Sequence, residues 1–362
     1  MAPTVTHVVG NRPHFMKLAP IVAGLERRGI ASEVLHTGQH WDDSLSGQFV
    51  REFGIAIAEG FEIEPGGHGV QTASMMRRLE RYWTALPRLP RIVLVYGDTN
   101  STLAAALVAA KLDIAVGHVE GGVRADFLEA MMPEEINRKL VDDLSRWIYT
   151  PTDRCAAALR AEGFAEDRIV NSGDVMFDRL LATAAETPSA IAERAPGFAF
   201  ATVHRAENTD DGARLFAIFD ALAALAERVE VVLAVHPRTE KLLAQSGRLA
   251  GYARTIACVP PLNHVDTVAL VGRAAFVISD SGGLPKEAAF LGKRSVLLRR
   301  QAIWTELVDQ GFALLADPAR PGAIAEAAAQ MLAMPPPERA IEGFGDGRAA
   351  DAIAAHLAGK LG

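Results

Sequence analysis

Apolar residues fall into two recurring patterns along the chain. Short, nearly continuous apolar runs read as strands: THVVG, SEVLHTG, RIVLVYG, IAVGHVE and RWIYTP in the first half, then FAFATVH, VEVVLAVHP, RTIACV, AAFVISD and RSVLLR in the second. Between them lie longer stretches with helical period, such as MKLAPIVAGLERRG, STLAAALVAAKL and ARLFAIFDALAALAER. In PEEINRKLVDDLSRW, residues Ile136, Leu140, Leu144 and Ile148 share one helical face, and Pro133 opens the helix. Strands alternating with helices predict parallel sheets covered by helices, an α/β fold with two doubly wound halves. A ligand cleft is then expected at the carboxyl ends of the strands of both halves.

The segment NSGDVMFDRLLATAAETPSAIAERAPG loses strand character before the next strand begins, which puts a domain boundary there. The division expected is 1–172 for a first Rossmann-like domain, 173–345 for a second, and 346–362 for a C-terminal helix that packs back on the first. A chain of 362 residues can bury two cores of that size. The net charge of −7 argues against a nucleic-acid surface driven by bulk charge. Cys155 and Cys258 are far apart with no CxxC pairing, so reduced thiols and a cytoplasmic location are expected. No apolar run reaches membrane-spanning length, and MAPTVTHVVGNRP does not have the form of a signal peptide.

Several strand ends carry candidate chemistry. In VISDSGGLPKEAAFLGK, Gly282 and Gly283 after Ser281 allow the backbone to approach a ligand, and the helix that follows offers N–H groups to an anion such as a diphosphate. Glu287 could accept from ribose hydroxyls; the competing reading is an acid favouring the helix dipole. GNRPHFMKLAP sets Arg12 and Lys17 beside a helix start, where an anion would relieve their repulsion from the dipole; solvated surface charge is the alternative. His204 and Arg205 end another strand in FATVHRAENTDD, where His204 could donate to a phosphate or be structural. His36 and His40 are four apart, but in a strand end and turn rather than a helix, so no metal site is expected. GxGxxG, GxxxxGK[ST] and GxSxG are absent.

Three acids stand out. Asp98 follows RIVLVYG and Glu120 follows IAVGHV, so a parallel sheet brings both out at the same edge. Asp98 could instead cap the next helix, and Glu134 and Glu135 could simply complement a helix dipole. Glu120, between an apolar strand and two glycines, has no such local role. Carboxylates gathered at one cleft have their pKa values pushed apart, which lets one serve as base and another as acid.

Taken in order, GNRPHFMKLAP, TGQHWDD, VYGDTNSTLAAAL, GHVEGGVR, MPEEINRKL, GDVMFD, VHRAEN and SDSGGLPKEAAFLGK resemble the non-hydrolysing UDP-N-acetylglucosamine 2-epimerase family across nearly the whole chain. The resemblance implies a GT-B fold of two Rossmann-like domains facing a cleft. It also implies inversion at C2 of a UDP-N-acetylhexosamine, by elimination of UDP to a 2-acetamidoglucal and re-addition. No metal or nicotinamide cofactor is implied, and a homodimer is. Asp98, Glu120, Glu134 and His204 then fall on catalytic positions, and Arg12, Lys17, Ser281, Gly282, Gly283 and Glu287 on nucleotide-contacting ones. At least one acid is expected to be protonated beside the departing diphosphate. The sequence departs from the family pattern at Asn11, at Ala125 and in LRRQAIWTE, where Arg300, Ala302 and Ile303 replace the usual residues. Gln39 is present, but Asp42 stands where a second glutamine of an activator site would be. A hydrolysing epimerase, a GT-B glycosyltransferase and a binding protein without catalysis are the other readings weighed.

Overall fold

The computed structural model describes residues 4–39, 54–124 and 132–361. The side chains of Arg12 and Ile191 lie outside the description, as do His40, Asp42 and Ala125. The chain divides into two compact units, Met1–Arg179 with Gly343–Gly362, and Leu180–Glu342.

The first unit holds β1 (Val5–Val9), β2 (Ser32–His36), β3 (Glu59–Gly60), β4 (Ile92–Tyr96), β5 (Ala115–Val119), β6 (Trp147–Thr150) and β7 (Ile169–Asn171). They pair in the order β3-β2-β1-β4-β5-β6-β7, and every pairing is parallel. β1 and β4 are buried along their whole length, as strands covered on both faces must be. Side chains alternate between two cores. Ile92, Leu94 and Tyr96 pack with Leu18, Ile21 and Leu25 of the helix Arg12–Glu26, whereas Val93 and Val95 pack with Leu79, Trp83 and Ala105. The helix Ala349–Leu361 completes the first core with Ile353, Ala354 and Leu357, all fully buried. Asp178 fixes its start, accepting from the N–H groups of Ala349 and Ala350 at 2.7 and 2.9 Å.

The second unit holds β8 (Ala199–Val203), β9 (Val231–Val235), β10 (Ala257–Val259), β11 (Phe276–Ser279), β12 (Arg294–Leu297) and β13 (Ala313–Leu315). Their order is β10-β9-β8-β11-β12-β13, again all parallel. Ala201, Leu233 and Ile278 on one face meet Ile218, Phe219 and Leu222, and Phe200, Val232 and Val277 on the other meet Leu270 and Ala288. The expected α/β class with two doubly wound sheets is borne out. In each sheet the strand order reverses once, between β1 and β4 and between β8 and β11, and such reversals are where α/β sheets open a ligand crevice. No helix among the described residues is long and apolar enough to cross a membrane.

The helix Pro133–Leu144 departs from the hydropathy reading. Ile136 and Leu140 face solvent, 43% and 44% exposed, while Glu135, Asn137, Val141 and Asp142 are buried; Leu144 packs on a core, and Ile148 lies beyond the helix, fully buried in β6. The reason is that the polar face has partners elsewhere in the fold, described next, and a satisfied polar face can be buried as stably as an apolar one.

Candidate active site

Two turns carry the first group of side chains. β4 and β5 pair in register, Tyr96 opposite Val119, so Asp98 and Glu120 leave neighbouring strands at the same edge. Gly97, between Tyr96 and Asp98, has φ +62°, and Glu120 itself has φ +68°. The left-handed region is ordinary for glycine but costs a glutamate about 1–3 kcal/mol, a strain found chiefly at functional sites. Backbone bonds hold it: the N–H groups of Glu120 and Gly121 both donate to Tyr149 O at 3.1 Å.

Glu120 is paired with Lys17 of the helix that follows β1. A Cβ on Gly97 would lie 3.4 Å from Lys17 Nζ, 3.5 Å from Glu120 Oε2 and 3.9 Å from His14 Nε2, so these three groups converge above that glycine. His14 is buried, and its Nδ1 accepts from Gly10 N–H at 3.2 Å. Substituting Gly97→Ala forces a left-handed alanine and brings a methyl into contact with the Lys17–Glu120 pair. The backbone strain alone is expected to lower stability by about 1–2 kcal/mol, measurable by urea unfolding, with loss of activity beyond it.

Asp98 is gripped by Arg138. The same guanidinium donates to Glu135 at 3.1 Å, and Asn137 Nδ2 donates to the Asp98 carbonyl at 2.9 Å. Burial works against the Arg138 charge, but Asp98 and Glu135 outweigh it and hold the guanidinium above its ordinary pKa. Asp98 does not cap the next helix; Thr99 does, accepting from Thr102 N–H. Mutual repulsion among gathered acids is therefore answered by cations, Lys17 on Glu120 and Arg138 between Asp98 and Glu135. Asp98 and Glu120 keep 29% and 18% of their side chains accessible, enough to meet a ligand.

Glu134 is exposed on the first turn of its helix, while Glu135, one residue on, is buried against Arg138. Arg138, Glu135 and Asn137 were not among the sequence candidates, although Glu135, Arg138 and Asp142 repeat at helical spacing and form one polar stripe.

The second group surrounds the β8/β11 reversal. Asp280, fully buried, accepts from the N–H of His204 at 3.1 Å, of Arg205 at 2.9 Å and from Asn208 Nδ2 at 3.2 Å. It also lies 3.3 Å from His204 Nδ1, which orients the ring. The His204 ring lies 5.6 Å from that of His236, tilted by 32°, and the His236 pKa is lowered by burial and by its neighbour His204. The Arg205 guanidinium stands over Gly282, 3.5 Å from where a Cβ would be. Ser281 behaves differently from the sequence expectation. Its hydroxyl accepts from the N–H groups of Gly283 and Leu284, both at 3.3 Å, so those amides already have a partner and Arg205 becomes the better anion donor. Glu287 is buried and bonded to His264 Nε2 at 3.1 Å, with Thr183 on the other ring nitrogen. Lys286, 2% exposed, lies 3.9 Å over the ring of Trp304. In the divergent segment, Arg299 is buried 3.6 Å from Glu207, and Arg300 is exposed 3.6 Å from Asp317.

Comparison with known proteins accords with this layout. Residues 23–358 match the UDP-N-acetylglucosamine 2-epimerase family. A UDP-2,3-diacetamido-2,3-dideoxy-D-glucuronate 2-epimerase of Pseudomonas aeruginosa is 38% identical over 97% of this chain and 98% of its own length. A UDP-N-acetylglucosamine 2-epimerase homolog of Methanococcus maripaludis is 37% identical over 86% of this chain and 88% of its own. The crystal structure of Methanocaldococcus jannaschii UDP-GlcNAc 2-epimerase in complex with UDP-GlcNAc and UDP superposes with a TM-score of 0.85 at 30% identity, covering 98% of this chain and 99% of that one. The fold is thus of the GT-B type, with Rossmann-like units. With strained, cation-paired acids at one strand edge and a match spanning both units, the chain belongs to the UDP-N-acetylglucosamine 2-epimerase family, isomerases that act on UDP-sugars.

Proposed function

We propose that the protein inverts C2 of a UDP-N-acetylhexosamine, UDP-N-acetylglucosamine in the first instance, through a 2-acetamidoglucal. A carboxylate takes the C2 proton as the C1–oxygen bond breaks, and UDP leaves with the bonding electrons. The C1–C2 double bond of the glucal forms in the same step. Return delivers a proton to C2 from the opposite face while a diphosphate oxygen re-forms the bond to C1. The carrying observation is that Asp98 and Glu120 leave adjacent strands in register, each held in place by a paired cation. Glu134, exposed at the head of the same polar helix, serves as a third acid in this scheme. Lys17 attends the substrate beside Glu120, and Arg12 is assigned to the nucleotide by the family resemblance alone. His204, Ser281, Gly282 and Glu287, with Arg205, hold the nucleotide, and cations near the diphosphate stabilise the charge that grows as it departs.

A second substrate has a specific observation in its favour. The Pseudomonas relative is named for a diacetamido glucuronate, and Arg300 adds an exposed cation that suits an acidic sugar. The experiment is a heavy-water assay by proton NMR over a panel of UDP-N-acetylglucosamine and its uronate and diacetamido forms. Deuterium is expected at C2 as the manno epimer appears for at least one sugar. Absence of both for every sugar removes the epimerase reading. Stoichiometric free UDP with N-acetylmannosamine points to the hydrolysing variant instead.

A further inference from the structure

His118 sits on β5 two residues before Glu120, with no exposed surface. Its Nδ1 is 2.7 Å from Asp142 Oδ1, and its Nε2 is 2.7 Å from the carbonyl oxygen of Gly97. Neither partner offers a proton. A peptide carbonyl only accepts, and Asp142 is also receiving bonds from Arg124 at 2.7 Å and from Gly122 N–H at 3.1 Å. A neutral imidazole has one N–H and would leave one of these two short contacts as a pair of facing lone pairs. Both bonds exist only if both ring nitrogens carry protons.

The placement of this ring has a mechanical consequence. Its Nε2 clamps the carbonyl of Gly97, the peptide that launches Asp98. Through Asp142 it clamps Gly122 N–H, on the far side of the strained Glu120. Arg124 extends the chain outward, bonding Glu162 through two nitrogens at 2.7 Å each. Gly121 lies directly on the pair: a Cβ there would be 2.7 Å from Asp142 Oδ1 and 3.0 Å from His118 Nδ1.

We infer that His118 is a buried imidazolium bridging Gly97 and Asp142, and that it is a positioning residue which sets the spacing of Asp98 and Glu120. This rests on the proposed roles of those two acids. His118 touches neither reacting atoms nor substrate; it acts through the two turns. A misplacement of about 1 Å in a catalytic group costs on the order of a hundredfold in rate, so the clamp is expected to appear in turnover rather than in binding.

The test uses the full chain. In wild-type protein carrying 15N-labelled histidine, both His118 ring nitrogens are expected to be protonated; a single protonated nitrogen overturns the inference. His118→Asn keeps a donor for Asp142 and loses the one to Gly97. It is expected to lower kcat for C2 exchange about a hundredfold, with KM within about threefold. His118→Gln reaches the Gly97 carbonyl and is expected to recover about tenfold of that loss. An unchanged kcat in His118→Asn, or an equal loss in both variants, overturns the positioning role. If the variants do not fold, the labelled wild-type protein decides. Failure of the wild-type enzyme to exchange C2 with any UDP-sugar counts against the roles of Asp98 and Glu120, which the nitrogen spectra do not depend on.

Discussion

Glu120→Gln is expected to reduce inversion at C2 by between about a hundredfold and ten-thousandfold, the range typical for loss of a group that transfers a proton in the rate-determining step. The substitution keeps the size of the side chain and changes only its charge. Lys17, 7% exposed, then loses the carboxylate it pairs with, and the amide cannot take a proton from C2. UDP affinity, measured by calorimetry, should change by less than about threefold, because the nucleotide contacts proposed above belong to other residues. The assay also sorts the two acids. With each epimer supplied separately, a variant lacking one acid should still wash deuterium into the epimer whose proton faces the other acid, but without inversion. Asp98→Asn should show the mirror-image preference. Inversion, or exchange with both epimers, by Glu120→Gln within about tenfold of wild type would remove Glu120 from the chemistry.

Asp142→Asn is expected to be the most damaging substitution for the fold of the first unit. Burial alone would raise the Asp142 pKa, but His118 and Arg124 outweigh it and hold the carboxyl below the ordinary value. Removing the charge leaves two cationic partners against a neutral amide in a fully buried site. Breaking a buried pair in this way typically costs about 3–5 kcal/mol. The sign of the pH effect follows from the depressed pKa. Above the ordinary carboxylate range, roughly pH 3.9, both folded and unfolded chains are ionised and the stabilisation is fully present. As the pH falls toward the folded value, the unfolded chain takes up the proton first, so stability declines. Urea unfolding should therefore show wild type well above the variant at pH 7, with the gap closing only as the pH drops below about 4. A difference under about 1 kcal/mol at pH 7 would mean that His118 and Arg124 find other partners.

The central strands are legible in the sequence because burial on both faces demands continuous apolar runs, as at Ile92–Tyr96 and Val231–Val235. β3, only Glu59–Gly60 and exposed, has no such signature, and the three-residue β7 and β13 are too short to show one. Asp98 and Glu120 are legible for a related reason: acids directly after buried strands have little to do but face a crevice. The rotation of the helix Pro133–Leu144 is not legible. Hydropathy turns Ile136 and Leu140 inward, whereas the fold buries Glu135, Asn137 and Asp142. The partners of Asn137 and Asp142, namely Asp98, His118 and Arg124, lie 18 to 39 residues away in sequence, where no local pattern reaches. The same rotation exposes Glu134 and buries Glu135, a distinction of one residue that the periodicity cannot make.

The helix Ala349–Leu361 belongs to a core that also holds Leu18, Ile21 and Leu25, more than three hundred positions upstream. On the ribosome, that wall is therefore missing until residues 349–361 have left the exit tunnel. The second unit, contiguous from Leu180 to Glu342, is fully synthesised before then and can complete its core first. In a nascent chain the order of maturation is thus the reverse of the order of synthesis, and trimming the final turns of that helix strips the oldest part of the polypeptide rather than the newest.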